Sequence, residues 1–297
     1  MEEVESDMTG KICIVTGSNS GIGKETALAL AEMGAKVVMI VRNPNAGEKA
    51  RREIIDQSGN EDVDMLIADL SSMDQVRRVA REFKEKYKRL DVLVNNAGGI
   101  NNEYHTSVDG NEMTFAVNYL APFLLSHELL DILKESAPSR IINVSSGAHT
   151  MGKIDFDNLQ SEKKYSSFRA YGNAKLMLVM STYELARRLE GTGVTANVLH
   201  PGVVHTNFGR SDGGRVRKAM YKAFSVFAKS PKKGAETSVY LATSPEVNSV
   251  SGKYFSNSKE KRSSKISYDL ELQQRLWKKT EEILGINIVH EQIQKLH

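Results

Sequence analysis

The sequence predicts an α/β fold built on a doubly wound parallel sheet, and three features of the chain support this prediction. Short apolar, β-branched runs alternate with longer amphipathic stretches along the 297 residues, as buried parallel strands and their crossover helices do. A glycine-rich turn lies between the first apolar run and the first amphipathic stretch. No repeat or proline-rich linker divides the chain, so we predict a tail over residues 1–9 and one domain over residues 10–297.

The alternation assigns the elements in order along the chain. Seven strands are predicted, at Lys11–Thr16, Lys36–Val41, Asp64–Ile67, Asp91–Asn95, Arg140–Ser145, Thr195–Leu199 and Lys253–Phe255. Helices are predicted between them, among them one from the glycine turn to Glu32, a long one over Asn111–Glu135, and one over Ser167–Glu190. Two stretches, Gly147–Ser166 and Val203–Ser230, fit the alternation poorly, and irregular segments of this length are usually lids or binding loops.

The second irregular stretch carries an amphipathic pattern, and we predict a helical substrate lid over residues 203–233. Apolar residues recur there at helical spacing between cations: Val216, Ala219, Met220, Ala223, Phe224 and Phe227. Large apolar side chains over the site would suit a long hydrophobic substrate, and the basic polar face would suit anionic lipid. The alternative is that the apolar stripe is ordinary core packing and that the cations only keep the lid soluble.

Composition narrows the function classes. The formal net charge of +3 is too small to indicate nucleic-acid binding. The only cysteine, Cys13, lies in an apolar run, so no internal disulfide can form and a reducing compartment is permitted. The acidic first residues lack the apolar core of a signal peptide, and no apolar run approaches the roughly 18 residues of a membrane span. We therefore expect a soluble, cytoplasmic protein, with peripheral contact to a membrane surface left open.

The glycine-rich turn is a candidate phosphate-binding turn. Its residues are Gly17, Ser18, Asn19, Ser20, Gly21, Ile22 and Gly23. One glycine permits the tight turn, one lets backbone N–H groups approach a pyrophosphate, and one lets the helix lie close to the sheet. The phosphate charge would then face the positive end of the helix. The alternative is a merely structural glycine turn.

The end of the second predicted strand indicates which dinucleotide is bound. A carboxylate at this place bonds the ribose 2′-hydroxyl of NAD and repels the 2′-phosphate of NADP. The strand here ends in Val41-Arg42-Asn43, and a cation favours NADP. The alternative is that Arg42 is only a solvated loop cation.

Tyr171 and Lys175 are the strongest candidates for chemistry. A spacing of four places both on one face of a helix, so the ammonium can lie near the phenol. A free phenol has a pKa of about 10, and a neighbouring cation lowers it by stabilising the phenolate. A Tyr and a Lys at this spacing, taken alone, are most often two exposed helix residues without a functional role.

Further motifs lie in order around that pair. They are Thr16-Gly17 with Gly21-Ile22-Gly23, Asn95-Asn96-Ala97-Gly98, Asn118, Asn143-Val144-Ser145-Ser146, Tyr171-Gly172-Asn173-Ala174-Lys175, and Pro201-Gly202 followed by Thr206. In order and spacing they resemble the short-chain dehydrogenase/reductase superfamily over nearly the full chain. The resemblance implies a Rossmann fold, an NADP(H) cofactor and hydride transfer between nicotinamide and a carbonyl or alcohol.

The resemblance also implies residue roles. Tyr171 would be the general acid–base, Lys175 would lower its pKa and bond the nicotinamide ribose, and Ser146 would position the substrate carbonyl, leaving Ser145 structural. Asn118 resembles the asparagine that joins a proton relay through water. Cofactor contacts are implied for Asp69, Leu70, Asn95, Ala97, Gly98, Tyr171, Lys175, Pro201, Gly202, Val204 and Thr206. A homodimer or homotetramer through the long helices is compatible with the resemblance, and the sequence does not choose between them.

A narrower resemblance concerns the substrate. The segments 143–153, 157–165, 200–204 and 275–277 are similar to the retinol dehydrogenase subgroup, which reduces retinal and related lipid aldehydes with NADPH. The long insert between Ser146 and Tyr171 is typical of that subgroup. Many of its members begin with a hydrophobic membrane anchor, whereas this sequence begins with an acidic segment. The expected substrate is a small hydrophobic carbonyl or alcohol.

Two functions from different classes remain at this point. One is an active NADP(H)-dependent carbonyl reductase or alcohol dehydrogenase, and the other is a catalytically idle NADP-binding sensor or interaction module of the same fold. The joint presence of Ser146, Tyr171, Lys175 and Asn118 favours the enzyme, because a pure binder needs none of that geometry. The histidines lack metal-ligand spacing, so no metal site is predicted. His149 and His205 could touch substrate, the alternative for each being a structural or merely exposed histidine.

Overall fold

The computed structural model describes residues 7–204 and 229–286, and every strand within them belongs to one sheet. The strands are β1 (Ile12–Thr16), β2 (Lys36–Val41), β3 (Val63–Ile67), β4 (Val92–Asn95), β5 (Ser139–Val144), β6 (Val194–His200), β7 (Tyr254–Ser256) and β8 (Lys259–Lys261). Their order across the sheet is β3-β2-β1-β4-β5-β6-β7-β8. All neighbours are parallel except β7 and β8, which form an antiparallel hairpin.

Helices cover both faces of the sheet. They are α1 (Gly21–Glu32), α2 (Pro44–Ser58), α3 (Met73–Lys86), α4 (Met113–Phe115), α5 (Ala121–Glu128), α6 (Leu130–Glu135), α7 (Ser167–Arg188), α8 (Pro231–Thr243) and α9 (Leu270–Leu284). Apolar residues of α3, α5, α7 and α9 form the core on one face, and those of α1, α2 and α8 form the core on the other. This arrangement confirms the predicted doubly wound α/β fold. Among the described residues, no helix is both long and apolar enough to cross a bilayer.

The seven predicted strands are all present, but the predicted helix over Asn111–Glu135 is broken. A turn of π-helix over Ala116–Leu120 joins α4 to α5, and α6 follows as a separate segment. Pro122 has no backbone N–H, so it cannot donate to the carbonyl of Asn118 four residues earlier, and the α-helical ladder fails there. The strand β8 was not predicted because its three residues are exposed charges held by pairing with β7.

Only the ends of the predicted lid over residues 203–233 are described. The last three of these residues, 231–233, begin α8. Val204 forms a parallel bridge with Lys229, and the Lys229 N–H donates to the Val203 carbonyl at 2.8 Å. Residues 205–228, which carry Thr206 and the amphipathic pattern, lie outside the described residues.

The C-terminal helix α9 covers the outer face of α5 and α7. The ring of Trp277 packs 4.5 Å from that of Phe123, and the Arg188 guanidinium lies 4.6 Å above the same indole. The Tyr119 hydroxyl bonds the Thr280 hydroxyl at 2.6 Å, which ties α9 to the π turn. A homo-oligomer built on α5 and α7 would have to accommodate or displace α9.

We expect Trp277→Ala to lower the free energy of unfolding by about 3–5 kcal/mol, because it leaves a cavity against Phe123. Leu270→Ala on the same helix is the matched control: Leu270 is 50% exposed and Trp277 only 6%. The control should change stability by less than about 0.5 kcal/mol. Urea unfolding followed by circular dichroism measures both. Equal losses in the two variants would show that α9 is not packed as described.

Candidate active site

The glycine-rich turn joins β1 to α1, and its backbone excludes side chains at three positions. Gly17 and Gly21 have φ values of +66° and +57°, a region that glycine enters without strain. A Cβ on Gly23 would lie 2.6 Å from the Gly17 carbonyl oxygen and would also strike the Asn96 amide. These contacts explain why glycine occupies each of the three positions.

The same turn is tied to the turn after β4. The Thr16 hydroxyl accepts the backbone N–H groups of Asn96 and Ala97, both at 2.9 Å. In return, the Asn96 side-chain amide donates to the carbonyl of Thr16 at 2.9 Å. The sequence motif contained Asn96, but its clamping role depends on the separation of β1 and β4 in space, which the sequence does not show.

The first turn of α1 suits a phosphate group. Ser20 precedes the helix, and its side chain makes no capping hydrogen bond, so the first backbone N–H groups of α1 are not capped by it. The Ser18 hydroxyl instead donates to the Val15 carbonyl at 2.9 Å, inside the turn. Backbone donors, the helix dipole and the three glycines together fit a dinucleotide pyrophosphate.

Three further predicted cofactor residues follow β2 and β3 at the same edge of the sheet. Arg42 comes directly after β2, is exposed, and makes no hydrogen bond or ion pair with another described residue. The Asp69 carboxylate accepts the N–H and the hydroxyl of Ser71 at 2.9 and 2.8 Å, and Leu70 beside it is buried. The carboxyl ends of β1, β2 and β3 therefore present the glycine turn, a free cation and an acidic loop side by side.

The side chain of Asn95 lies in the core. It is buried, and its amide nitrogen donates to the Ser126 hydroxyl at 3.0 Å and to the Asn143 amide oxygen at 2.9 Å. Within the predicted stretch Asn95–Gly98, Ala97 lies against the glycine turn and Gly98 lies against Asn118 and Lys175. The Asn95 side chain instead points toward α5.

Four predicted catalytic residues converge at the carboxyl ends of β4 and β5. Ser146 follows β5, and its hydroxyl is hydrogen-bonded to the phenol of Tyr171. The Lys175 ammonium lies 5.7 Å from the centre of the Tyr171 ring and donates to the Val144 carbonyl at 2.9 Å. The neighbouring Ser145 hydroxyl donates to the Lys175 carbonyl at 3.0 Å and so serves the scaffold.

Asn118 lies in the π turn and anchors the loop that contains Gly98. Its side-chain amide donates to the carbonyls of Gly99 and Thr114, both at 2.8 Å, and its oxygen accepts the Gly99 N–H at 3.1 Å. A Cβ on Gly98 would lie 2.6 Å from that oxygen and 3.2 Å from the Lys175 nitrogen. The loop, Asn118 and Lys175 are therefore in direct contact.

Burial dominates the electrostatics of the site. It raises the pKa of Tyr171 to about 12, with the Ser146 hydrogen bond acting in the opposite direction. It lowers the pKa of Lys175 to about 7. In the protein alone the pKa of Tyr171 is therefore raised, because desolvation of the phenol outweighs the Ser146 hydrogen bond. The phenol holds its proton at neutral pH, as a proton donor must.

Of the remaining predicted cofactor residues, Pro201, Gly202 and Val204 follow β6. Gly202 has a φ of +90°, and a Cβ there would meet the Lys229 side chain at 3.2 Å. Val204 reaches across to α8, where a Cβ on Gly234 would lie 2.8 Å from its methyl group. Gly234 was not a sequence candidate, since nothing in the chain places it beside Val204.

The insert between Ser146 and Tyr171 is tied to the loop that follows β4. The Tyr165 hydroxyl donates to the Asn101 carbonyl at 2.8 Å, and the Glu112 N–H donates to the Gln160 side chain at 2.7 Å. The Tyr104 and Tyr165 rings meet edge to face at 5.7 Å. These contacts hold the insert against the loop that follows β4.

We expect Lys175→Met to raise the melting temperature of the cofactor-free protein more at pH 7 than at pH 10. The pKa of Lys175 falls from 10.5 to about 7 on folding, so between these values the unfolded chain binds more protons and wild-type stability rises with pH. Methionine does not titrate, so its advantage should shrink as the pH rises. Lys49→Met is the control, since that side chain is 80% exposed. An advantage that is equal or larger at pH 10 would contradict the buried amine.

Comparison with known proteins agrees with this geometry. The short chain dehydrogenase family matches residues 11–214. Retinol dehydrogenase 13 of Homo sapiens is 42% identical over 289 residues, covering 95% of this chain and 87% of its own length. Retinol dehydrogenase 14 of Homo sapiens is 44% identical over 294 residues, covering 94% of this chain and 88% of its own.

Solved structures share the fold. An uncharacterized protein from Mycobacterium paratuberculosis is 29% identical with a TM-score of 0.77, and the match covers 94% of this chain and 95% of that one. The NADP active-site complex of RhlG from Pseudomonas aeruginosa is 28% identical with a TM-score of 0.67, covering 86% and 97% of the two chains. The chain therefore belongs to the short-chain dehydrogenase/reductase family of oxidoreductases and is related to the retinol dehydrogenases.

Proposed function

We propose that the protein is an NADP(H)-dependent oxidoreductase that transfers hydride between nicotinamide and a hydrophobic aldehyde or ketone, such as retinal or a lipid aldehyde. The observation that carries this proposal is the contact between Ser146 and a buried, protonated Tyr171 beside Lys175. An idle dinucleotide-binding module has no use for a proton donor built in this way.

The chain's own residues account for the proton transfer. The Ser146 hydroxyl orients the substrate carbonyl oxygen toward the Tyr171 hydroxyl, which delivers the proton that converts the carbonyl oxygen to a hydroxyl. NADPH would supply the hydride that adds to the carbonyl carbon. The Lys175 ammonium stabilises the phenolate left on Tyr171 and is held in place by the Val144 carbonyl. Asn118 keeps the loop around Gly98 in contact with this group.

The preference for NADP rests on Arg42. An exposed guanidinium without a partner among the described residues follows β2, where a dinucleotide fold places the ribose 2′ position. The RhlG structure, whose description includes NADP, supports this assignment by its similarity to the chain.

The proposal of a hydrophobic substrate is supported by exposed apolar side chains close to the catalytic residues along the chain, and by the relatives. Met151, Phe168 and Val203 are 64%, 56% and 54% exposed, and each lies within a few residues of Ser146, Tyr171 or the end of β6. Apolar side chains that remain in water at a site mark a surface for an apolar ligand. The retinol dehydrogenase relatives are named for a substrate of this kind.

We also propose a cytoplasmic location with peripheral contact to anionic membrane, where such a substrate dissolves.

The test of the substrate class is kcat/KM with NADPH for aldehydes from short to long chains, retinal included. The ratio should rise with chain length, because burial of each CH₂ contributes about 0.8 kcal/mol. Short polar carbonyls as the best substrates would overturn the hydrophobic assignment. Sedimentation with anionic vesicles at low and high salt tests the membrane contact separately, and protein that stays in the supernatant at low salt excludes it.

Tyr171→Phe should abolish most turnover and leave NADPH affinity largely intact. Loss of a general acid typically lowers the rate about 10²- to 10⁴-fold. Stopped-flow oxidation of NADPH measures the rate, and fluorescence titration measures the cofactor Kd. Tyr240→Phe is the matched control, because the Tyr240 hydroxyl donates to Glu246 on the protein surface. A Tyr171→Phe variant that keeps more than a tenth of the wild-type rate would show that this phenol is not the acid.

Arg42→Asp should reverse the cofactor preference toward NADH. A charge-assisted hydrogen bond to the 2′-phosphate contributes about 1.5–3 kcal/mol, and the introduced carboxylate adds repulsion. The measurement is kcat/KM for NADPH and for NADH in the variant, in wild type and in Arg81→Asp, a control at an exposed cation of α3. Unchanged ratios in Arg42→Asp would make Arg42 a surface charge only.

A further inference from the structure

The peptide that follows the catalytic serine is held on both of its polar atoms by histidine rings. The Ser146 carbonyl lies 2.7 Å from Nδ1 of His149, and the Gly147 N–H donates to Nδ1 of His200 at 2.9 Å. His149 is 2% exposed and belongs to the short 3₁₀ helix Gly147–Met151. Neither imidazole has a part in the proton transfer described above, so their role is to be explained.

The tautomer of His149 follows from its second contact. Its Nε2 atom lies 3.1 Å from the backbone nitrogen of Ser264, and a backbone N–H can only donate, so Nε2 is the acceptor. The proton of the neutral ring is then on Nδ1, which donates it to the Ser146 carbonyl. Both ring nitrogens of His149 are therefore used, and only one tautomer satisfies them.

The donor Ser264 is itself fixed to the helix that carries Tyr171. The Tyr183 hydroxyl of α7 bonds the Ser263 hydroxyl at 2.6 Å, and the rings of Tyr183 and Tyr268 stack at 5.3 Å. The Ser263 N–H donates to the Tyr268 hydroxyl at 3.1 Å. Thus α7 fixes segment 263–268, and that segment fixes His149.

We propose that His149, held by the Ser264 N–H, is the positioning residue that sets the Ser146 hydroxyl against Tyr171, with His200 fixing the other side of the same peptide. The proposal rests on the proposed function for its kinetic readout. A shift of the Ser146–Gly147 peptide would move the Ser146 hydroxyl away from the phenol and the substrate carbonyl, while the glycine turn at the end of β1 would stay in place. The predicted effect is therefore on kcat and not on cofactor binding.

Ser264→Pro removes the N–H donor and leaves the local backbone conformation unchanged. Ser264 has φ −61° and ψ 146°, which proline adopts without strain, and its buried hydroxyl has no hydrogen-bond partner among the described residues. Ser264→Ala deletes the hydroxyl alone and is the reference for the proline variant. Relative to it, we expect kcat to fall about 10- to 100-fold, the scale of a displacement of about 1 Å at a reacting group. The Kd for NADPH should change less than about twofold.

Variants at His149 remove the acceptor of the same hydrogen bond from Ser264. They also provide a test if the Ser264→Pro variant does not fold. Asparagine can donate to the Ser146 carbonyl but cannot reach Ser264, and leucine does neither. We expect His149→Leu to lower kcat more than His149→Asn does. Combined with His149→Asn, the Ser264→Pro change should add little further loss, because the bond it removes is already gone.

A spectroscopic measurement separates this proposal from the proposed function. In protein labelled with ¹⁵N-histidine, the signals absent from His149→Asn identify His149, and they should show the Nδ1–H tautomer. If the wild type reduces no aldehyde, the proposed function fails while the tautomer still tests the contact. An Nε2–H tautomer, or a Ser264→Pro variant with the kcat of Ser264→Ala, would overturn the positioning role.

Discussion

The absence of a side chain at Gly98 is the constraint on which the rest of the site depends. The turn that contains it is fixed to the glycine-rich turn through the Thr16 hydroxyl, and it touches both Asn118 and the Lys175 ammonium. The cofactor half and the catalytic half of the site therefore meet at one backbone segment. Any Cβ at this position would push on the amide oxygen of Asn118, only 2.6 Å away, and so on the π turn behind it.

Burial destabilises the charged forms of the two central titratable groups, Tyr171 and Lys175. The Tyr171 phenol and the Lys175 amine are each placed where water is excluded, and burial moves the two pKa values apart, to about 12 and about 7. Both groups are thereby biased to their neutral forms in the protein alone. The same exclusion of water that destabilises these charged forms strengthens every hydrogen bond made to the substrate oxygen.

Much of this structure could be predicted from the sequence. Strands β1, β2 and β4 carry nearly continuous apolar runs, and Ser146, Tyr171 and Lys175 lie at spacings that the fold brings together. Family resemblance supplied their roles, which the residues alone left open.

The features that sequence missed depend on contacts between distant segments. The π turn arises because Pro122 has no backbone N–H to donate to the Asn118 carbonyl. The periodicity of apolar residues along a helix does not reveal this missing hydrogen bond. The core position of Asn95 is set by Ser126 and Asn143. The raised pKa of Tyr171 is a matter of burial, and the role of His149 depends on Ser264, 115 residues away along the chain.

The bridge between Val204 and Lys229 has a consequence for how this protein family can diversify. Because the bridge holds Val204 and Lys229 together, a change in the number of residues between them costs only about 0.6 kcal/mol for each doubling of length. The bridge is therefore a place where the number of residues in the chain can vary at small cost while β6 and α8 keep their positions.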